Sequence, residues 1–423
     1  MPTPAPLPPD LATAPWLTAP ATQAVLRAIG DGGFEARVVG GAVRNALLGL
    51  PVTDIDIATA ATPQDVMRLA AAAGHATVPT GLAHGTVTVI ADDHPFEVTT
   101  LRTDVESHGR HATVAFTSDW AADASRRDFT INALYCGADG LVHDPLGGYG
   151  DLVARRVRFI GDAATRIRED YLRILRFFRF TAQYSELAPE PQGLAACVRE
   201  RAGLARLSGE RVRQEMLELL VAARAMAAIE AMREHGILAE VLPMAPRPAL
   251  LRRLIEIETR QALDPDAALR LAALAAETAE DVARLSARLR LSTSERDRLA
   301  LGPRAAARVM SLPGLREQRA LLYHAGPKTY RGLVALGWAR ALPVSTTDPA
   351  WTLALTLPAR WMPSAFPVRG ADIIARGVAA GPAVGAALRA LEAWWIGQDF
   401  APGRDAVLAR FDQGATRAGA SCE

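Results

Sequence analysis

Alternating apolar and polar positions mark four short segments in the first third of the chain. These segments have the two-residue period typical of β-strands: ARVVG (36–40), TDIDIA (53–58), GTVTVI (85–90) and FEVTTL (96–101). Helical stretches follow the first two segments. Beyond about Val157 the apolar residues recur every three to four positions, as in YLRILRFFRF (171–180), which is the helical period. The pattern therefore predicts an α+β fold, with a small mixed sheet and helices followed by an all-helical remainder.

The composition indicates a globular protein of several structural units. Of its 423 residues, 50% are hydrophobic and 22% are charged, which is enough apolar material for packed cores and too little charge for a disordered chain. No segment reaches the roughly 18 to 20 consecutive apolar residues of a membrane helix, and the start MPTPAPLPPD lacks the features of a secretion signal. Cys136, Cys197 and Cys422 are too widely spaced for a CxxC metal pair or a disulfide framework. We expect a cytoplasmic protein without membrane attachment.

Basic side chains are unevenly distributed, although the net charge is only +1. Lys328 is the only lysine among the 47 basic residues, which we attribute mainly to a GC-rich genome. Residues 151–180 contain eight arginines against four acidic residues. This local excess suits contacts with phosphates, whereas the near-neutral total argues against indiscriminate binding of polyanions.

A pair of glycines marks the turn between the first predicted strand and a helix that begins near Ala42. At Gly40 and Gly41, free backbone N–H groups and the positive helix end would point at one spot, which suits a phosphate. Arg44, one turn into the helix, could add a charged fork to the same anion. Tight turns also use glycine for purely conformational reasons, so this motif alone leaves both explanations open.

Three acidic residues are predicted to meet on adjoining strands. The period of a strand places Asp54 and Asp56 on one face and Ile55 and Ile57 on the other. A neighbouring strand can bring Glu97 to the pair. A solvent-exposed strand edge would explain an isolated acidic pair. Three acids beside a phosphate cradle instead favour a two-metal site, with hard oxygen ligands that suit magnesium.

RRDFTINAL (126–134) is a further polar cluster. Arg127, Asp128 and Asn132 offer donors to phosphate oxygens and an acceptor to a ribose hydroxyl. A helix start capped by Asp128 would explain the same residues, and the local sequence does not separate the two interpretations.

EDYLRILR (169–176) is predicted to be helical. Asp170 and Arg173 would then lie one turn apart on a shared face, with Arg176 one turn further. By default such residues form exposed salt bridges that contribute only a few tenths of a kcal/mol. This explanation and a binding role therefore remain equally open on the local sequence.

Taken together, these motifs resemble the class II nucleotidyltransferase family, which contains the CCA-adding tRNA nucleotidyltransferases and the bacterial poly(A) polymerases. The motifs appear in the family's order and approximate spacing: GGAVRNALLG with DID, FEVTTLR, RRDFTINAL, HDPLGGYGDL, EDYLRILR and LSGERVRQEM. The resemblance is dense from about residue 36 to 220 and weaker over 370–395. Beyond about residue 223 it is otherwise loose.

The resemblance implies a polymerase-β-like nucleotidyltransferase head followed by an all-α neck, body and tail. The predicted parts are a flexible N-terminus (1–20), the head (21–157), a neck that recognises the base (158–222), the body (223–340) and the tail (341–423).

The resemblance also implies roles for individual residues. Asp54, Asp56 and Glu97 would be the catalytic acids and would hold two Mg²⁺ ions. Nine further residues would bind the nucleotide: Gly40, Gly41 and Arg44 at the triphosphate, Arg127 and Asp128 at the sugar and phosphates with Asn132 beside them, Asp170 and Arg173 at the base, and Arg176 near the phosphates.

Hydrogen-bonding chemistry explains how two side chains could select a base. Arg173 offers only donors and Asp170 only acceptors, so the pair complements an amino group beside a ring-nitrogen acceptor. Cytosine and adenine present that edge, whereas uracil and guanine present a carbonyl beside an N–H and would be rejected. In the family, a mobile loop between the third acid and RRDF changes the base pocket so that it accepts A after C. Residues 103–125 fill that interval here, and their length favours an enzyme that can add A.

We expect a template-independent enzyme that completes tRNA 3′ ends with CTP and then ATP, while its helical part grips the acceptor and T arms. A bacterial poly(A) polymerase shares every catalytic motif. Such enzymes often carry a strongly basic tail, whereas residues 400–423 contain equal numbers of basic and acidic residues. Enzymes restricted to A or to CC addition are further alternatives. A non-catalytic RNA-binding relic is disfavoured by the intact acids. The sequence does not identify protein partners.

Overall fold

The computed structural model describes residues 7–108, 111–308 and 311–419. The chain divides into two compact units. The first comprises Met1–Pro243 with Arg288–Arg290, and the second Met244–Ala287 with Leu291–Glu423. The predicted division into head, neck, body and tail is finer than this partition and stays a prediction.

The described strands all lie in the first unit. They are β1 (Ala36–Val39), β2 (Asp56–Thr59), β3 (Ala76–Gly81), β4 (Thr86–Ala91), β5 (His94–Thr100), β6 (Arg102–His108), β7 (His111–Phe116), β8 (Tyr135–Cys136) and β9 (Val142–His143). Seven of them form one sheet in the order β3-β4-β5-β2-β1-β8-β9, and β6 and β7 form a separate antiparallel hairpin. This hairpin provides most of the backbone of the predicted loop 103–125.

The sheet is mixed because β2 and β5 run parallel, whereas the other described neighbours are antiparallel. One face is buried by alternate residues, among them Ile57, Val87 and Val98, which are fully buried. The predicted strands and the α+β fold class are confirmed. The second predicted strand, however, begins at Asp56 rather than at Thr53.

The helices follow in chain order. They are α1 (Pro15–Thr18), α2 (Pro20–Asp31), α3 (Gly41–Leu47), α4 (Pro63–Ala72), α5 (Trp120–Ser125), α6 (Gly148–Val153), α7 (Ala163–Glu169), α8 (Leu172–Tyr184), α9 (Pro191–Glu200), α10 (Gly209–Val221), α11 (Ala225–Glu234), α12 (Ile237–Val241), α13 (Pro248–Arg260), α14 (Ala267–Ala275), α15 (Ala279–Leu289), α16 (Thr293–Leu299), α17 (Leu301–Arg308), α18 (Leu315–Arg340), α19 (Pro349–Leu355), α20 (Leu357–Arg360), α21 (Gly370–Ile374), α22 (Pro382–Gly397) and α23 (Arg404–Gly419).

Several boundaries have a local cause in the sequence. Proline occupies the first turn of α2 and of α4, where its missing N–H costs no helical hydrogen bond. Thr62 caps α4 by accepting a hydrogen bond from the backbone N–H of Asp65 at 3.2 Å. The predicted flexible N-terminus 1–20 extends into α1, where Leu17 is fully buried. Residues 1–6 of that segment lie outside the described residues.

The predicted helix over EDYLRILR is interrupted. Glu169 ends α7, Asp170 has an extended backbone with φ of −154°, and α8 begins at Leu172. The aromatic residues of α8 explain its position, because Phe177 and Phe180 pack with Phe129 and Phe159 in one cluster. Asp170 therefore lies in the break between two helices rather than on the same helix as Arg173.

The second unit is helical in its described residues and has its own core. Trp338 of α18 stacks on Trp351 of α19 at a ring distance of 6.1 Å. Glu258 and Arg270 form a buried ion pair at 2.7 Å between α13 and α14. No helix in the described part of the chain has the length and apolar character needed to cross a membrane. Cys136 and Cys197 are free and buried, and Cys422 lies outside the described residues.

Candidate active site

A polar cavity of about 910 Å³ opens in the first unit beside the sheet and α8. All twelve residues predicted from the sequence line it: Gly40, Gly41, Arg44, Asp54, Asp56, Glu97, Arg127, Asp128, Asn132, Asp170, Arg173 and Arg176. Since these residues span positions 40 to 176, only the fold brings them to one place. The predicted set is therefore a single site in space, while the role of each residue remains a prediction.

The acidic wall of the cavity arises from the pairing of β2 with β5. Asp56 and Glu97 are direct neighbours in the parallel register, and both are exposed to the cavity. Asp54 precedes β2 and accepts a hydrogen bond from the Thr53 hydroxyl at 3.0 Å. Partial desolvation by the surrounding protein and repulsion from Glu97 raise the pKa of Asp56 to about 6, and Asp54 adds to the repulsion.

The chemistry of this wall fits a divalent cation. Three carboxylates provide hard oxygen ligands, and their mutual repulsion would be relieved by bound positive charge. As they stand, however, no three His, Cys, Asp or Glu side chains among the described residues are arranged to hold a metal ion. The donor set therefore matches magnesium in its chemistry without forming a preassembled cage.

Gly40 makes the sharp turn from β1 into α3. Its φ of +71° and ψ of −114° belong to a region that residues with a side chain rarely adopt. The backbone N–H of Gly40 donates to the carbonyl of Leu134 at 3.0 Å, so this group is not among the free donors expected at the turn. Any anion bound here would face the N–H groups that begin α3 at Gly41.

Arg44 is mostly buried but still lines the cavity, so its contact with an anion stays a prediction. Its guanidinium donates to Asn132 Oδ1 and, at 2.7 Å, to the Tyr184 hydroxyl, and it lies 4.2 Å from the Tyr184 ring centre. Burial lowers the pKa of Arg44 below its ordinary value. Arg44 thus ties α3 to α8 at the edge of the cavity.

The RRDFTINAL segment forms a further part of the wall. Arg127 donates to Asp123 Oδ2 at 3.0 Å and to the Tyr135 hydroxyl at 3.2 Å. Burial lowers the pKa of Arg127, but Tyr135 and Asp123 outweigh this effect and leave the pKa above its ordinary value. Asn132 Nδ2 donates to Asp128 Oδ1 at 2.9 Å. The local hydrogen bonds therefore orient these side chains before any ligand is present.

Asp170 and Arg173 both reach the cavity, but each is paired with a different residue. Arg211 of α10 donates to Asp170 Oδ2 at 2.6 Å, and Arg173 donates to Glu169 Oε2 at 2.6 Å. The expectation that Asp170 and Arg173 share a helix face is wrong, because the helix breaks at Asp170. Their proximity comes from the break itself, where the backbone N–H of Arg173 donates to the Asp170 carbonyl at 3.0 Å.

Arg176 belongs to a buried network that joins the RRDFTINAL segment to α10. Its Nε donates to Asp128 Oδ2 at 2.8 Å, and its Nη1 lies 3.4 Å from Glu215 Oε1. Glu215 also accepts from Arg179 Nε at 2.6 Å. Burial by itself would lower the pKa of Arg176, but Asp128 and Glu215 raise it above its ordinary value.

Sequence reasoning missed several residues of the cavity wall: Asn45, Arg179, Tyr184, Gln214, Glu215 and Glu218. Glu215 lies within the LSGERVRQEM motif, so that motif was the available signal. The motif did not show that Glu215 reaches the cavity, because its contacts with α8 join residues far apart in the chain.

Two family descriptions match parts of the chain. The Poly A polymerase head domain matches residues 36–158, and the probable RNA- and SrmB-binding site of polymerase A matches residues 186–247. The first match covers the sheet and the acidic wall. The fold and the site thus define a nucleotidyltransferase head with a helical extension.

Individual relatives extend the likeness beyond the head. The mitochondrial CCA tRNA nucleotidyltransferase 1 of the mouse is 33% identical over 394 residues, which are 88% of this chain and 86% of the relative. The zebrafish protein of that name is 46% identical over 210 residues, which are 48% of each chain. The chain thus spans about half the length of that relative. The solved Bacillus stearothermophilus CCA-adding enzyme in complex with CTP is 27% identical with a TM-score of 0.71, covering 94% of this chain and 98% of that one. The chain belongs to the family of CCA-adding enzymes and poly(A) polymerases.

Proposed function

We propose that this chain is a template-independent RNA nucleotidyltransferase that adds CCA to tRNA 3′ ends, using CTP and then ATP. The observation that carries the proposal is that all twelve predicted residues line one cavity, with Asp56 and Glu97 in register on adjacent parallel strands. The relatives named as CCA-adding enzymes support the same activity. The intact acids disfavour a non-catalytic RNA-binding relic.

In the proposed reaction the 3′-hydroxyl oxygen of the RNA attacks the α-phosphorus of the nucleotide. A new phosphodiester bond forms while the hydroxyl proton passes to water, the bond from the α-phosphorus to the oxygen shared with the β-phosphorus breaks, and pyrophosphate leaves. Asp54, Asp56 and Glu97 would hold two Mg²⁺ ions, and such ions would supply charge neutralisation at the phosphates and activation of the hydroxyl. The backbone N–H groups that begin α3 at Gly41 would face the triphosphate, next to the turn at Gly40. Arg127 contributes a fixed positive charge.

Base selection would fall to Asp170 and Arg173. Their acceptors and donors complement the amino group and ring nitrogen shared by cytosine and adenine. The ion pairs with Arg211 and Glu169 hold both side chains at the cavity wall. This arrangement supports selection by protein groups rather than by a nucleic-acid template.

The partner we propose is the acceptor and T arm of tRNA. Recognition of double-stranded RNA rests mainly on backbone shape and phosphates, for which the many arginines of the helical part are suited. A cytoplasmic location stays a prediction, because the relatives include proteins named as mitochondrial.

Incubation of the protein with tRNA that lacks its CCA end, supplied with each nucleoside triphosphate separately and in combination, tests the proposal. We expect incorporation of two C residues and then one A, and loss of incorporation in Asp54→Ala. The matched control is Asp31→Ala, which removes an exposed carboxylate at the end of α2. Long A-tails without use of CTP would instead identify a poly(A) polymerase. Incorporation of only C or only A would identify an enzyme restricted to CC or to A addition.

A further inference from the structure

An apolar groove of about 400 Å³ lies in the first unit, between α1 and the loop that follows α3. We call it the N-terminal groove, and its walls include Pro15 and Trp16 of α1 together with Ala46, Leu50 and Val52. None of the described residues that line it is charged, and the indole N–H of Trp16 is the only polar side-chain group among them. The volume falls within the range of ligand pockets, roughly 300 to 1,000 Å³. The groove therefore suits a flat apolar group rather than a phosphate.

Trp16 provides an aromatic ring that is only partly buried. Its helix is anchored, because Leu17 is fully buried and the Thr22 hydroxyl donates to the Trp16 carbonyl at 2.8 Å. In the described part of the chain, no other aromatic ring and no guanidinium stacks on the Trp16 ring. An anchored indole with a free face is a stacking platform for a nucleobase.

The N-terminal groove adjoins the polar cavity at Val52, which lines both. Asn45 ties this loop to α3, since its Nδ2 donates to the Pro51 carbonyl at 3.0 Å and its carbonyl accepts from the backbone N–H of Leu50 at 2.8 Å. Val52 precedes Asp54 by two residues, and two residues of extended chain span at most about 7 Å. A nucleotide whose 3′-hydroxyl lies at the acidic wall can therefore reach the groove with its base.

We propose that the N-terminal groove binds the last base of the RNA that is being extended, stacked on Trp16. This proposal rests on the proposed nucleotidyltransferase function. Each addition changes that last base: first it is the base that ends the shortened tRNA, then one C and then a second C. A site for it must accept different bases, and stacking does so because every base has a flat π face.

The incoming nucleotide would use a separate site. Asp170 and Arg173, the predicted readers of its base, are not among the described residues that line the N-terminal groove. The polar pair would select the incoming base by its hydrogen-bonding edge, whereas the apolar groove would hold the last base of the RNA without selecting it.

The test removes each partner of the stack in turn. One RNA is a tRNA without its CCA end, and a second has the same sequence but a last ribose without a base, so that the 3′-hydroxyl remains. Wild type and Trp16→Ala are compared on both RNAs by kcat/KM for the RNA at saturating CTP. Stacking of one base on an aromatic side chain corresponds to about 5- to 100-fold in affinity. We expect Trp16→Ala to lose this factor on the first RNA and to lose nothing further on the second.

Three further variants separate binding from folding. Trp16→Phe keeps a flat ring and should retain most of the wild-type kcat/KM. Leu50→Ala shortens a groove side chain that is 41% exposed, and it should give a smaller loss that again requires the last base. Leu7→Ala is the matched control, because Leu7 is 88% exposed and is not among the described residues that line the groove. It should change kcat/KM on neither RNA, and the KM for CTP should stay at the wild-type value in every variant.

Equal losses of Trp16→Ala on the two RNAs would overturn the proposal, because the indole would then act on something other than the last base. A lower unfolding temperature of Trp16→Ala without any loss on the first RNA would overturn it too, since another part of the protein would then fill the groove. If Trp16→Ala does not fold, the same comparison with Leu50→Ala decides. Wild type that adds no nucleotide to the first RNA would instead refute the proposed function.

Discussion

Replacing Asp128 by asparagine would test the buried network beneath the nucleotide site. The wild-type carboxylate accepts from Arg176 through Oδ2 at 2.8 Å and from Asn132 and the backbone N–H of Phe129 through Oδ1. Asparagine has nearly the same shape and can keep the contacts of Oδ1. Its amide NH₂, however, would face the guanidinium of Arg176, so that two donors oppose each other.

The pKa of Asp128 sets the expected magnitude. Burial by itself would raise this pKa, but Arg176, Asn132 and the Phe129 N–H outweigh it and lower the pKa from 3.8 to about 2. At roughly 1.4 kcal/mol per pKa unit, the charged carboxylate contributes about 2 to 3 kcal/mol to the free energy of unfolding at neutral pH. We expect Asp128→Asn to lose at least this amount, a decrease of about 5 to 10 °C in the unfolding midpoint.

The pH dependence follows from the direction of the shift. Because the folded pKa lies below the unfolded value, the contribution is complete above about pH 5 and is lost as the pH falls towards 2. Urea unfolding of wild type and Asp128→Asn at several pH values measures it, with the exposed Asp31→Asn as control. Equal stability at pH 7 would contradict the reasoning, as would a difference that grows on acidification.

Two further substitutions test other parts of the structure. Gly40→Ala forces a side chain into a backbone with φ of +71° and should cost about 1 to 3 kcal/mol. The added Cβ meets nothing closer than the Asn132 carbonyl oxygen at 3.6 Å, so any loss would come from the backbone conformation and not from a clash. Unchanged thermal unfolding and unchanged nucleotide incorporation would refute the importance of this turn. In the second unit, Glu258→Ala removes the buried carboxylate partner of Arg270 and should cost about 3 to 5 kcal/mol in urea unfolding. Glu280→Ala removes one partner of an exposed helix ion pair and should change the free energy of unfolding by no more than about 0.5 kcal/mol. Equal losses of stability in Glu258→Ala and Glu280→Ala would contradict this expectation.

The strands were predictable because a two-residue apolar period has a direct physical cause: one face of each strand must be buried. Ile57 and Val98 are fully buried for this reason. Once β2 and β5 are neighbours, the same period places Asp56 beside Glu97 on the exposed face. The acidic wall was therefore foreseeable from local patterns together with a single assumption about which strands pair.

Helix interruption was not predictable from the same patterns. The apolar spacing of EDYLRILR suits a helix, yet the chain breaks at Asp170 because α8 must pack Phe177 into the aromatic cluster while Asp170 is held by Arg211. Arg44 likewise has the sequence position of a phosphate ligand, but Tyr184 of α8 covers and binds its guanidinium. Both outcomes depend on contacts between residues far apart in the chain.

The sequence by itself determined the fold class, the family and the chemical types of side chain at the site, because periodicity and motif order are properties of neighbouring residues. Only the tertiary structure decided which charges pair, which arginines are buried, and that Arg211 and Glu215 form ion pairs with the predicted residues Asp170 and Arg176. An ion pair forms only where two side chains meet at about 3 Å with water partly excluded, and the folding of α10 against α8 provides that condition for both.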